Sequence, residues 1–312
     1  MSTTYRIGID IGGTKVNAGL LREDGTIVEH TVFSSAGATE TARFVDRICL
    51  AVETLLRHNG VNLEQVAHIG AGIPGTANPR QGMVEYSCNL FGIDVPLGDF
   101  FRERLRRDVL IVQDSWAAAW GEHRFGAGRG HDNLLCATIG TGIGCGVVLN
   151  GKLFAGTMQT AGELGHIPVE WQGRLCGCGR RGCLEAYSSG SAIWAQALER
   201  FPQKLTNRPQ RTETVFELCA EGDAEARALI DASIDKLAYG LAIMLNILSV
   251  DTVIISGGLS SHKDLVIDPL RERMLAYGYP SWTRKNRIQV LQAELGGNAP
   301  MVGAAFLTLD CL

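Results

Sequence analysis

Alternating apolar and polar positions mark two places where a strand enters a Gly/Thr-rich turn and leaves it as another strand. In the first, Ile7-Gly8-Ile9-Asp10-Ile11 leads into Gly12-Gly13-Thr14-Lys15 and out through Val16-Asn17-Ala18-Gly19-Leu20-Leu21. In the second, Leu135-Cys136-Ala137-Thr138-Ile139 leads into Gly140-Thr141-Gly142 and out from Ile143 to Leu149. Both predict β-hairpins. Asp10-Ile11-Gly12 aligns with Thr138-Ile139-Gly140, an internal repeat that implies two related domains. Elsewhere the period changes. Val45, Ile48, Val52 and Leu55 recur at helical steps and stop at Asn59-Gly60, which predicts an amphipathic helix with a glycine stop. Residues 68–75 predict a strand delivered into a turn, 99–107 a basic, solvated helix, 109–112 a short apolar strand and 115–123 an alanine-rich helix. Residues 226–250 predict a long buried helix, and 252–256 a strand ending in Gly257-Gly258. A last apolar helix begins at Pro300. Strands and helices in this alternation predict an α/β chain.

Composition narrows the picture. At 312 residues two domains are expected, one from 1–117 plus 298–312 and one from 118–297. The 38 glycines gather at 8–13, 70–75, 140–146, 177–182 and 257–258, each at or after a β-like run, and they read as ligand-facing loops. A net charge of −4 gives no electrostatic reason to expect nucleic acid as a partner. No apolar run approaches the roughly 20 residues of a membrane span. The first residues pass into a strand without signal-peptide features, and the odd cysteine count of 9 argues against a disulfide framework, so a reducing cytoplasm is the expected compartment.

Neither hairpin is a P-loop or a Rossmann turn, since no helix follows at once and the glycine spacing differs. Each can still present N–H groups to phosphate as an anion-binding nest. Either alone is explained by an ordinary hairpin turn; the pair points to a nucleotide. Gly12, Gly13, Thr14, Lys15, Gly140, Thr141 and Gly142 are the candidate phosphate contacts, and Gly257-Gly258 suits an adenine or ribose face. Asp10 is placed to hold magnesium through water. Asp114 follows a strand and opens a helix, which suits catalysis and helix capping equally by residue type. Asn89, in a polar loop, reads as a ligand contact or a turn residue.

The run 161–185 carries His166, Cys176, Cys178 and Cys183 in a His-x9-Cys-x-Cys-x4-Cys spacing. Four such ligands suit tetrahedral zinc, and Cys3His is a closed, structural set. Buried or redox-active cysteines are the alternative. Glu163 and Glu185 flank the cluster, where two fixed carboxylates can orient a polyhydroxylated ligand.

Taken together, these motifs resemble the ROK sugar kinases, most specifically in Gly162-Glu163-Leu164-Gly165-His166 joined to Cys176-Gly177-Cys178-Gly179 and Gly182-Cys183-Leu184-Glu185. The resemblance implies a two-domain actin-like ATPase (ribonuclease H-like) sugar kinase fold with a cleft between the domains. It implies Asp114 as catalytic base and Gly72, Asn89, Asp114, Glu163, His166 and Glu185 as sugar contacts. ATP would lie on the two hairpins and Gly257-Gly258, with magnesium near Asp10, and His166 would face both zinc and sugar. The expected reaction is ATP-dependent phosphorylation of a hexose at the carbon-6 hydroxyl. Glucose, allose, fructose, mannose, N-acetylglucosamine and N-acetylmannosamine are all open as acceptors. The rival is a sugar sensor of the same fold without turnover. Two departures stand out: Gln113 and Trp116 replace the asparagines that usually flank the aspartate. With Asp10 so near the amino end of the sequence, no preceding helix-turn-helix is expected. Sugar and ATP are the expected partners, without nucleic acid or membrane, and a homodimer is the expected assembly.

Overall fold

The computed structural model describes residues 4–38, 40–87, 90–283 and 287–312. The first hairpin forms as β1 (Tyr5–Ile11) and β2 (Lys15–Arg22), followed by β3 (Ile27–Ser34). Next, α1 (Thr41–His58) buries Phe44, Val45, Ile48, Cys49, Val52, Leu55 and Leu56, the stripe that its period predicts. It stops at Asn59, ahead of Gly60 at φ +63°. Then come β4 (Val66–Ile73) and a small antiparallel sheet of β5 (Thr76–Asn78), β6 (Met83–Ser87) and β7 (Gly92–Val95). After these, α2 (Leu97–Leu105) departs from its reading as a solvated helix: Leu97, Phe101 and Leu105 form a buried stripe, and only the basic side faces water. The first half closes with β8 (Leu110–Gln113) and α3 (Asp114–Phe125).

The second hairpin is β9 (Leu134–Ile139) and β10 (Ile143–Leu149), with β11 (Lys152–Leu153) beside it. Four helices follow the cysteine-rich loop: α4 (Glu185–Ser188), α5 (Gly190–Arg200), α6 (Glu213–Ala220) and the long α7 (Ala224–Leu248). The chain ends with β12 (Thr252–Ser256), α8 (Asp268–Tyr277), α9 (Pro280–Thr283), β13 (Gln289–Gln292) and α10 (Ala299–Phe306). Among the described residues no helix is long and apolar enough to cross a membrane.

The two five-stranded sheets run β3-β2-β1-β4-β8 and β11-β10-β9-β12-β13. Each has its strands in the order third, second, first, fourth, fifth, so the repeat seen in the hairpins extends to sheet topology. By packing, one compact unit comprises Met1–Cys136, Gly146–Ala161 and Glu294–Leu312, and the other Ala137–Cys145 and Gly162–Ala293. The division expected after residue 117 would have cut α3. The whole helix instead belongs to the first unit, because it packs lengthwise on α10.

That packing explains several glycines. A Cβ on Gly8 of β1 would collide with the Met301 carbonyl of α10, and one on Gly70 of β4 with the Ala304 carbonyl. On the other side of the helix, Gly121 of α3 meets the Ala299 carbonyl, where a Cβ would lie at 2.5 Å, and Gly303 meets the Ala117 carbonyl. Gly8 and Gly70, read from the sequence as part of ligand-facing clusters, therefore seat a helix. Gly303→Ala is expected to destabilise the protein by about 3 kcal/mol, since the added carbon must push α10 off α3. Gly13→Ala, whose Cβ would meet nothing within 4 Å, is the control. Equal thermal midpoints for the two variants would refute this packing argument.

Candidate active site

The parallel strands of the first unit bring three carboxyl ends to one edge. Asp10, next to last in β1, pairs with Gly72 of β4; Ile73 pairs with Gln113, the last residue of β8, and Asp114 follows it. Open α/β sheets bind ligands beyond such an edge. A Cβ on Gly72 would sit 3.3 Å from the Cα of Asp114, so glycine keeps this junction close. Asp10 retains some accessible surface, yet the atoms around its carboxyl group strip away much of its water. That burial, and then the neighbouring Asp114 charge, push its pKa up to about 7, with Lys15 pulling it down. Two carboxylates thus share one field at the strand ends.

Asp114 is the first residue of α3, and the N-cap position belongs to Gln113, whose backbone is still extended at φ −66°, ψ 140°. The capping alternative therefore shifts by one residue. The Asp114 Oδ1 nevertheless accepts the Ser115 N–H at 2.7 Å. Both residues that depart from the family pattern are buried: Gln113 is 5% exposed and Trp116 fully enclosed. The indole N–H of Trp116 donates to the Ala161 carbonyl at 2.9 Å. At the β1–β2 turn the Gly12 N–H donates to the Lys15 carbonyl at 2.9 Å, leaving Gly13, Thr14 and Lys15 exposed.

Sequence reasoning passed over Asn17. It lies opposite Asp10 in the β1–β2 register and is nearly buried. Its amide donates to Asn298 Oδ1 at 3.0 Å, and its Oδ1 lies 2.9 Å from His30 Nδ1. The signal was available, since an asparagine inside an apolar strand must find hydrogen-bond partners. Asn89 lies outside the described residues.

In the second unit the loop after residue 161 folds on itself. His166 ends a short 3-10 turn, Leu164–His166, and the Cys176 N–H donates to the Arg180 carbonyl across a tight turn. The ligand atoms of His166, Cys176, Cys178 and Cys183 all lie within 4.8 Å of one another. Cys178 Sγ is 3.7 Å from Cys183 Sγ, and Cys176 Sγ is 3.8 Å from His166 Nδ1. Zinc–sulfur bonds of about 2.3 Å give a tetrahedron edge of about 3.8 Å, so the spacing fits zinc. Burial pushes the Cys176 thiol up to about 12 and also raises Cys183. At Cys178 burial is outweighed by hydrogen bonds from Arg180 and the neighbouring cysteines, which bring it down to about 7. The quartet thus holds one ready thiolate and two that a cation would have to draw out. With His166 Nδ1 turned to the cysteines, its Nε2 lies 3.9 Å from Glu163 Oε2.

Glu185, the first residue of α4, joins this loop to the second hairpin. Its Oε2 accepts the Ile143 N–H at 2.9 Å, while Oε1 lies 3.8 Å from Cys176 Sγ. Gly142 permits the approach, because a Cβ there would lie 2.5 Å from Glu185 Oε2. The tip is held from behind as well: the Gly190 N–H donates to the Gly140 carbonyl at 2.8 Å. Gly257, at φ +85°, sits against Ile139, and Gly140 and Gly258 both border open space. The first unit therefore gathers Asp10, Gly12–Lys15, Gly72 and Asp114. The second gathers Gly140–Gly142, Glu163, the Cys/His quartet, Glu185 and Gly257-Gly258.

Comparison with known proteins places this geometry. The family model described as ROK family matches residues 6–311. A glucokinase of Thermotoga maritima is 35% identical over 309 residues, covering 96% of this chain and 95% of that protein. An N-acetylmannosamine kinase of Yersinia pestis is 34% identical over 259 residues, covering 81% of this chain and 82% of that one. The crystal structure of a ROK family glucokinase from Streptomyces griseus in complex with glucose and AMPPNP superposes with a TM-score of 0.84 at 34% identity, covering 98% and 99% of the two chains. The fold is thus the actin-like ATPase fold of the sugar kinases. With the family model spanning nearly every residue, and relatives aligned over most of their own lengths, the chain belongs to the ROK family.

Proposed function

We propose that this chain transfers the terminal phosphoryl group of ATP to a hexose, at the primary hydroxyl of carbon 6. The observation that carries the reading is the carboxylate pair Asp10 and Asp114 at the strand ends, next to an exposed Gly-Gly-Thr turn. Phosphoryl transfer needs positioning and charge stabilisation more than covalent chemistry. Asp114 takes the hydroxyl proton as the sugar oxygen bonds to phosphorus, and the bond to the leaving ADP oxygen breaks. The turns at Gly12–Lys15 and Gly140–Gly142 offer N–H groups and a lysine to the phosphates, and Gly257-Gly258 lie along the nucleoside. Asp10 faces the phosphate side, where a bound magnesium ion would supply compensating positive charge. Gly72, Asn89, Glu163, His166 and Glu185 hold sugar hydroxyls, and His166 Nδ1, Cys176, Cys178 and Cys183 would hold a zinc ion that would stiffen that loop.

Glucose is the first acceptor to test, given the glucokinases among the relatives, and N-acetylmannosamine is the second, given the Yersinia pestis kinase. Measuring ADP release across a hexose panel decides between them. A protein that binds sugar without releasing ADP would support the sensor reading instead.

Asp114→Asn separates the base from a structural aspartate. Asparagine keeps an oxygen for the Ser115 N–H but cannot take a proton, so kcat is expected to fall roughly 10²–10⁴-fold with the thermal midpoint preserved. Near-normal turnover in a folded variant would place the base elsewhere.

Glu185→Gln tests the link between metal loop and hairpin. The wild type and this variant are expected to hold about one zinc each by elemental analysis, since the four ligands are untouched. KM should rise for sugar and for ATP together, because the Ile143 contact weakens along with the sugar contact. Zinc loss in the variant would make Glu185 a support of the ligand shell.

The raised pKa of Asp10 makes a prediction about stability. A carboxyl group whose folded pKa lies above its unfolded value stabilises most below the unfolded pKa, and that contribution is lost as pH rises through the folded one. The ligand-free protein should therefore lose this term between about pH 4 and about pH 7. Asp10→Asn removes the loss, so its thermal midpoint should gain on the wild type as pH goes from 5 to 8, while its kinase activity drops. A midpoint difference independent of pH would rule out the desolvated carboxyl group.

A further inference from the structure

We propose that His262 is the platform on which the nucleotide base stacks, an assignment that rests on the kinase reading above. The second unit has open space beside two glycines at adjacent strand ends, Gly140 after β9 and Gly258 after β12. Gly257 brings those ends together, since a Cβ on it would lie 2.5 Å from the Ile139 carbonyl oxygen. Two tethers lead away from this point, and both end at the same pair of rings.

The first tether is the short 3-10 turn Gly258–Ser261, after which the next residue is His262. The second runs through the hairpin tip. The Gly190 N–H donates to the Gly140 carbonyl, and the Thr212 hydroxyl donates to the Gly190 carbonyl, both at 2.8 Å. Thr212 precedes α6, and Phe216 lies about one turn further on, a rise of roughly 5.4 Å. Phe216 and His262 stack with ring centroids 3.8 Å apart and planes 6° from parallel.

The burial of the two rings differs. Phe216 is almost completely buried, while His262 is only half-buried, so one face of the imidazole is backed by the phenyl ring and the residue keeps accessible surface. Among the described residues neither ring nitrogen of His262 makes a hydrogen bond to the protein. Burial also holds this imidazole below its ordinary pKa, against the pull of Glu213, which favours the neutral ring near pH 7. The backed ring lies four residues beyond Gly258 in the chain, and both glycines border open space, an arrangement that suits a nucleotide with its phosphates at the glycines and its base on the ring. Stacking tolerates any base, because every base has a π-face, so His262 contributes affinity for nucleotides without choosing among bases.

Titration calorimetry on the zinc-containing protein tests this, with Mg-ATP and inorganic tripolyphosphate as probes. His262→Ala is expected to weaken ATP binding about tenfold, the scale of one base–aromatic stack, and to leave tripolyphosphate binding unchanged. His262→Phe keeps a stacking ring and should bind ATP close to the wild-type value. The proposal is overturned if His262→Ala binds ATP like the wild type, or if it loses both probes in parallel, as local collapse would cause. It is also overturned if His262→Phe loses as much as alanine, since the ring face would then not be the cause. Should tripolyphosphate bind too weakly to measure, the two ATP comparisons decide. A wild-type protein that binds no ATP at all would bring down the kinase reading together with this one, whereas an unaffected alanine variant removes only the role of His262.

Discussion

Where α10 crosses the first sheet, its backbone rests on the backbone of β1 and β4, and its far side rests on α3. Gly8 and Gly70 face the carbonyls of Met301 and Ala304, while Gly121 and Gly303 bring α3 and α10 together. Dispersion forces fall steeply with the gap between surfaces, so removing side chains at these points gives contacts that few other residues permit. Asp10 lies two residues beyond Gly8, and Gly72 two beyond Gly70. Asp114 opens α3, and Ala117 of that helix lies in the same contact. A helix with no catalytic candidate of its own therefore sets the positions of both carboxylates.

Charge is handled in two opposite ways within this unit. Glu122 is fully buried, yet its oxygens accept three backbone N–H groups, from Ala127, Glu294 and Leu295, at 2.8–3.1 Å. A buried charge so bonded is satisfied, and it ties down the segment where the chain returns to the first unit. Asp10 is desolvated beside a like charge, an arrangement that opposes ionisation and is eased only by Lys15 or a bound cation. The two carboxylates of this unit thus differ in kind: Glu122 is surrounded by donors, and Asp10 is not.

Cysteine chemistry organises the other unit in a similar way. The quartet converges through tight turns between positions 166 and 183, and Glu185 carries that rigidity to the hairpin tip through a single bond to Ile143. Cys/His loop and hairpin are thus joined, so Glu185, read from the sequence as a sugar contact, is bonded to the second hairpin as well.

The features legible in the sequence are the local ones. Strand alternation marked both hairpins, helical spacing marked α1, and the Cys/His spacing marked a quartet that does converge, because each of these is set by neighbours a few residues apart. The repeated Gly-rich turns lie in two sheets that share one strand order, which the sequence reading did not specify. What the sequence could not express was the partner across the fold. Gly8 and Gly70 look like loop glycines until α10 is in place, and α2 looks solvated until its apolar stripe has something to cover. Asn17 finds Asn298 at a separation of 281 residues, Trp116 finds Ala161, and Glu185 finds Ile143. Residue type and spacing determined which carboxylates, glycine turns and Cys/His groups this chain has. Only the close packing of distant segments decided which of them meet, since contact energies act over a few ångströms and carry no trace in the chain until it has folded.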